Sequence, residues 1–352
     1  MNIVICSVGE EIETSIAEVL KKLGYEIYVF CKAINDQDYD LEYLQALVSF
    51  IDEKSIDMVW SIGYLPIISR VCSMKHKIYI SWIIREFWNS LYSDTIKNSI
   101  NYIFIGEETI AKQFYKNNPG HIFYLSPGAA IKDINIMPDT VGLCFLDAKY
   151  PIYYLKDDSR EYLKGYIRGM VEAQKRVYGY HFIPKLLTKK LRSEIEGVLS
   201  EGDKGKDYTK KAISDTIDDF LCDTITKDER DEVVKLIENL GMYKINTGIS
   251  QINVNITSRK WKTGIPYDIF CIMGAGGFLL TNYQPGMEDY FCIGDEIVLY
   301  EDNKDLMDKV NYYMSHEEER KIIANKGKKK VEELYTLEHR IADMFYLLSE
   351  AF

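Results

Sequence analysis

The run Asn253-Val254-Asn255-Ile256-Thr257-Ser258-Arg259-Lys260-Trp261-Lys262-Thr263-Gly264-Ile265-Pro266 carries three cations and a glycine where a strand-like pattern gives way to a helical one. Pro266 suits the first turn of a helix, because its missing N–H has no helical partner there. The remaining N–H groups of that turn and the helix dipole favour an anion, and Arg259, Lys260 and Lys262 are spaced to pair with one. A phosphorylated small molecule is the ligand this chemistry suits. Gly274-Ala275-Gly276-Gly277 follows at the far end of the same helix. Missing Cβ atoms there admit either a tight helix-to-strand turn or the close approach of a ligand, and the turn is the simpler reading. Because these glycines follow a helix, they are not the dinucleotide fingerprint, which follows a strand. Glu288 lies beyond the next strand. Its carboxylate is of the type that accepts hydrogen bonds from sugar or ribose hydroxyls, although a solvent-facing acid is the plainer reading in an acidic chain.

Other chemistries find little support. The five histidines, His76, His121, His181, His316 and His339, show no metal-ligand spacing with one another or with cysteine, which argues against a zinc site. No G-x-S-x-G elbow and no P-loop lysine is present. The seven cysteines are scattered, never form C-x-x-C, and read as reduced core residues. The basic run Lys326–Lys330 alternates with glutamates at helical spacing and reads as a solvated face. With 43 basic against 54 acidic residues the net charge is −11, which argues against a general nucleic-acid or anionic-membrane binder. Hydrophobic residues at 47% exclude disorder over most of the length, and 352 residues suggest two domains. No run approaches the ~18 apolar residues of a membrane span, and Met1–Cys6 reads as a first strand rather than a leader. A cytoplasmic location is expected.

The elements that must position these residues alternate. Strand patterns at 3–7, 26–31, 57–62, 77–82, 102–105 and 121–125 are separated by helical ones, notably 11–23 and 41–51, which points to a parallel sheet covered on both faces. This first α/β lobe is placed at 1–137. A further strand is expected at 141–146, then helices almost exclusively from 159 to 240, interrupted by a polar loop at 201–207. Strands return at 251–256, 277–281 and 296–300, with a helix at 265–273 and helices from 305 onward. The fold class is α/β: two doubly wound Rossmann-like lobes, the second (138–335) reduced and carrying a helical insert at 155–240, followed by a C-terminal helix at 336–352. Such a chain is expected to leave a cleft at the carboxyl ends of its strands.

Taken together, Ile252–Thr257, Ser258-Arg259, Gly264-Ile265-Pro266, Gly276–Tyr283, Glu288 with Phe291, and Gly294 resemble the donor-binding lobe of the CgeB-like (spore-maturation type) glycosyltransferases of the GT-B group. Trp60–Ser69, Ile80-Ser81-Trp82, Asn101–Phe104, Gly165–Gln174, Tyr178-Gly179-Tyr180 and Glu338-His339-Arg340 extend the resemblance over nearly the whole chain. It implies a nucleotide-sugar donor held by the C-terminal lobe and an acceptor, protein or glycan, bound by the N-terminal one. By the same resemblance no cofactor and no metal are needed. Arg259 with Lys260 would face the diphosphate, Gly264 and Pro266 would present helix N–H groups, Gly276 and Gly277 would line the pocket, and Glu288 would contact hydroxyls. A base in the first lobe, assigned to Glu86, would take the acceptor proton. The chain departs from the family at several points. Ile83-Ile84-Arg85-Glu86-Phe87 replaces an acid followed by proline, and Asp268 and Cys271 stand where an arginine and an acid are usual. Phe145 stands near an expected glycine turn. Asp268 beside a diphosphate would cost roughly 3 kcal/mol at ~5 Å and an effective dielectric near ~20. A catalytically degenerate protein acting as a binding or partner subunit is therefore the alternative.

Overall fold

A computed structural model describes residues 1–86, 88–131, 136–144, 161–198, 209–240, 243–245 and 249–350. Phe87, Phe145 and the polar run 201–207 lie outside the described residues. The chain divides into two units, one comprising Met1–Ala130 with Tyr335–Phe352, the other Ile131–Lys204 with Lys211–Leu334.

The first unit begins β1 (Asn2–Cys6), α1 (Ile12–Lys22), β2 (Glu26–Phe30), α2 (Leu41–Glu53), β3 (Met58–Ile62) and α3 (Pro66–Lys75). It continues β4 (Ile78–Ile83), β5 (Asn101–Ile105), α4 (Glu108–Phe114) and β6 (Ile122–Tyr124). The six strands pair in parallel in the order β2-β1-β3-β4-β5-β6. β3 and β5 are buried at every residue, as a strand covered on both faces must be. Local chemistry sets the helix ends: the Asp40 carboxylate caps α2 by accepting from Tyr43 N–H, and Gly24 takes the left-handed turn after α1 at φ +88°. Helix α3 has no counterpart in the sequence reading. Pro66, Ile67, Ile68, Ser69, Val71 and Cys72 are all buried, so the polar stripe that marks a surface helix is missing.

The second unit opens with β7 (Met137–Leu143), which starts four residues before the expected strand. Helices α5 (Glu161–Lys175), α6 (Ile183–Leu186), α7 (Lys189–Val198) and α8 (Thr209–Glu238) follow, the last a single element of 30 residues. The remainder runs β8 (Tyr243–Ile245), β9 (Ser250–Asn255), α9 (Tyr267–Gly274), β10 (Leu279–Asn282), α10 (Met287–Tyr290) and β11 (Val298–Tyr300). Helices α11 (Asn303–Ser315) and α12 (Glu317–Leu334) complete it. Its five described strands are parallel in the order β11-β10-β9-β7-β8. The sheet core gathers Val141, Leu143, Ile252, Val254, Leu280 and Val298 with Val233 and Ile237 of α8. The helical insert has a core of its own, built from Leu163, Ile167, Met170, Ile195, Ile217 and Leu221. Helix α13 (Leu337–Glu350) belongs to the first unit, not to a separate tail: Thr336 bridges Ala129, and Phe345 stacks on Tyr25 with centroids 5.3 Å apart.

Candidate functional site

In each sheet the strand order reverses beside the first strand of the unit, between β1 and β3 and between β7 and β9. Ligands of open parallel sheets bind outside the carboxyl ends of strands at such a reversal. The cationic segment Thr257–Pro266 leaves β9 at that position in the second unit.

Side-chain amides fix its backbone. Asn282 accepts from Thr257 N–H at 2.8 Å through Oδ1 and donates to Thr257 O at 3.3 Å. Asn255 donates to the hydroxyls of Thr257 and Thr281 at 3.2 and 3.1 Å. Both asparagines are buried, so these bonds satisfy groups that would otherwise be costly to desolvate. Further along, Gln284 donates to Trp261 O, and a Cβ on Gly286 would lie 2.8 Å from Thr263 O. The glycine, at φ +86°, is what lets the two loops touch.

One face of α8 answers the three cations with carboxylates. Arg259 Nε donates to Glu229 Oε2 at 3.0 Å and Nη2 to Glu229 Oε1, while Nη1 donates to Val177 O at 3.1 Å. The guanidinium also lies over the Tyr178 ring, 4.2 Å from its centroid. Lys260 Nζ is 2.8 Å from Asp223 Oδ2, with the lysine side chain 4% exposed. Lys262 donates to Arg259 O at 2.8 Å, lies 3.7 Å from Asp218 Oδ2, and is 27% exposed. Thr226 and Arg230, one turn apart on the same face, bond Arg259 N–H and Ile256 O. The expectation that Arg259 and Lys260 face a diphosphate therefore meets a different arrangement. Their charged ends are turned into the insert, where they hold α8 to the loop; of the three cations, Lys262 is the most exposed. Burial pushes the Glu229 carboxyl above its ordinary range, against the pull of Arg259.

Helix α9 starts at Tyr267, with Pro266 as its N-cap and no side-chain cap hydrogen bond. Gly264 is buried in the turn before it. Asp268 occupies the first turn, close enough to Cys144 at the end of β7 for its charge to add to the burial that raises that thiol. Gly276 and Gly277 lie elsewhere. They join α9 to the amino end of β10, the opposite end of the sheet from Arg259. Gly276 takes φ +81°, and a Cβ on Gly277 would lie 2.7 Å from Ile249 Cγ2 and 2.9 Å from Asn253 Nδ2. Turn geometry and packing account for both. Glu288 is exposed on α10, next to the Tyr283 hydroxyl, whose proton it holds on in concert with burial.

Glu86 belongs to the first unit. It is half-buried in the loop after β4, beside Arg85, which lies 3.6 Å from Glu10. At the carboxyl ends of β1 and β2 in the same unit lies an open cavity of about 510 Å3, lined by Ser7, Val8, Cys31, Lys32, Gln37 and Leu65. Glu13 braces its rim, accepting from Ser7 Oγ at 2.5 Å and Val8 N–H at 2.8 Å.

Sequence reasoning missed Asp218, Asp223 and Glu229 as partners of the loop. The available signal, for Asp218 and Glu229 but not for Asp223, was the spacing 218, 222, 226, 229–230, which is one helical face. It also missed that His181, Asp218 and Cys222 present ligand atoms all within 4.8 Å of one another.

Residues 223–345 match the family model described as glycosyl transferase-like. No curated protein matches the chain. Among solved structures, HepE of Anabaena in complex with UDP-glucose is similar at a TM-score of 0.56 and 9% identity, over 99% of this chain and 100% of that one. A glycosyltransferase from Rickettsia africae ESF-5 is similar at 0.52 and 12%, over 99% and 98%. Sucrose-phosphate synthase from Thermosynechococcus elongatus is similar at 0.53 and 9%, over 99% and 98%. At these identities the likeness shows the fold, which is GT-B.

Proposed function

We propose that this protein is a glycosyltransferase that takes a sugar from a nucleotide-sugar donor and passes it to an acceptor. The observation that carries the reading is the start of α9: a side-chain-uncapped helix terminus at the strand-order reversal of the second sheet, inside the stretch that matches the glycosyl transferase-like model. In this reading the diphosphate lies against the Gly264–Pro266 turn, and the helix dipole with Lys262 stabilises its charge as the sugar departs. Arg259 and Lys260 act one layer back, fixing the loop through Glu229 and Asp223. Glu288 accepts from hydroxyls of the ribose or the donor sugar. Glu86 takes the acceptor proton in the first unit, whose cavity of about 510 Å3 is the place for the acceptor. The leaving group needs no metal and the reaction no cofactor. The resemblance to CgeB-like enzymes and a cytoplasmic location belong to the same proposal. HepE, which shares the fold, was solved with UDP-glucose, so UDP-sugars are the first donors to test.

The test is thermal unfolding with UDP, GDP and their sugars. A ligand at a hundred times its dissociation constant adds ~2.7 kcal/mol and raises the midpoint. No shift with any of them overturns the reading. A second reading, a degenerate GT-B protein serving as a partner subunit, is favoured by one observation: all three loop cations already face carboxylates of α8. Nucleotide binding followed by donor hydrolysis that Glu288→Ala abolishes would exclude it.

A further inference from the structure

We propose that His181, Asp218 and Cys222 form a binding site for a zinc-like divalent transition metal on the helical insert. Asp218 and Cys222 are one turn apart on α8, and His181 comes from the segment between α5 and α6. His181 Nε2 is 2.7 Å from Asp218 Oδ1 and 3.9 Å from Cys222 Sγ. A tetrahedral ion with bonds of ~2.0 Å to nitrogen and oxygen and ~2.3 Å to sulfur needs ligand edges of about 3.3–3.5 Å. Two of the three edges are thus close to that geometry, the N–O edge having to open slightly and the N–S edge to close, and the third lies within 4.8 Å.

Donor chemistry narrows the ion. Imidazole, carboxylate and thiolate together suit zinc or cobalt and do not suit magnesium or calcium, which take oxygen ligands. His181 and Asp218 are part-exposed while Cys222 is buried, so the cluster lies within reach of solvent and water is the natural fourth ligand. Lys262 supplies the outer layer. Its ammonium is 3.4 Å from Cys222 Sγ and 3.7 Å from Asp218 Oδ2, the oxygen turned away from His181, and it is anchored on Arg259 O at 2.8 Å. It can keep those contacts while Nε2, Oδ1 and Sγ take the metal, and an N–H donor on a ligating sulfur steadies the thiolate. On binding, the Cys222 thiol gives its proton to solvent and the imidazole proton leaves Nε2 for Nδ1. The simpler account, a His–Asp hydrogen bond beside a packing cysteine, predicts no affinity for metal.

The experiment uses the full chain, reduced and freed of metal by chelation, titrated with Co2+. The expected result is one equivalent bound, with a thiolate-to-cobalt charge-transfer band and tetrahedral d–d bands that Zn2+ displaces. Cys222→Ser should lose the charge-transfer band, and Asp218→Asn should weaken binding roughly tenfold or more. Zn2+ should raise the unfolding midpoint of the wild type and not that of His181→Gln. If Cys222→Ser fails to fold, His181→Gln, altered at a part-exposed ring, carries the test through its affinity: it should bind Co2+ at least about tenfold more weakly. Absence of the band in the wild type overturns the proposal. So does a band that persists in Cys222→Ser, since it would place the metal on other cysteines such as the exposed Cys31 and Cys292, or a Co2+ affinity unchanged in His181→Gln.

Discussion

The Glu229 carboxylate sits between the Arg259 guanidinium and the Tyr178 hydroxyl, with side-chain exposures of 6% for the glutamate and 10% for the arginine. Removing one partner strands the other charge in a low-dielectric site, so Arg259→Ala and Glu229→Ala should each cost about 3–5 kcal/mol in urea unfolding. The double substitution Arg259→Met with Glu229→Met should recover most of that, because apolar pairs of similar volume are tolerated where a lone charge is not. The Asp218 carboxyl shows the opposite balance. Burial raises its pKa, but the His181 hydrogen bond and the Lys262 charge outweigh burial and hold it below the ordinary value of 3.8. A carboxyl depressed on folding contributes stability above its unfolded pKa and loses it as pH falls through the folded one. The acid limb of the stability curve, at and below about pH 4, should therefore be shallower in Asp218→Asn than in the wild type, as followed by circular dichroism. These pairings were not legible in the sequence. Arg259 and Glu229 are 30 positions apart, and a contact between a loop and a distant helix leaves no local spacing to read.

Helix α9 is held from behind by two glycines. Gly327 of α12 lets that helix approach so closely that an added Cβ would lie 2.5 Å from Glu296 O and 2.8 Å from Met273 Cε, on α9 itself. Gly277 does the same at the turn into β10. Gly277→Ala and Gly327→Ala should each lose ~1–3 kcal/mol by overpacking, measured by chemical unfolding. Because both press on α9, they should also weaken any nucleotide seen in the thermal assay. Most strands and amphipathic helices could be read from their periods, since a strand buried on both faces is a plain apolar run and a half-buried helix shows a stripe. Helix α8 could not. Its apolar residues at steps of four, Ile217, Leu221 and Ile225, pack in the insert, whereas Val233 and Ile237 pack on the sheet. A step of four outruns the helical turn of ~3.6 residues, so the stripe winds round the helix and its two halves look unrelated. The glycines at 276 and 277 were visible as a motif, but only the packing of Ile249 and Asn253 tells a turn from a pocket wall.

Both sheets are wound in the same sense relative to their first strand, β2-β1-β3 in one unit and β8-β7-β9 in the other. The chain closes the first unit only with its last described helix, whose Ile341, Met344 and Leu348 are buried and whose Phe345 stacks on Tyr25. Ending the chain at Leu334 should therefore destabilise residues 1–130 while leaving 131–334 cooperative. Limited proteolysis should then cut first within the amino-terminal sheet; equal resistance in both units would contradict this. No described helix is long and apolar enough to cross a membrane. The dependence on α13 also has a temporal side. A ribosome makes the six-stranded sheet well before the helix that covers α1, so residues 131–334 are complete while the earlier half still shows an uncovered flank. Newly made chains would spend that interval with an exposed apolar flank, and slow translation across residues 335–350 would lengthen it.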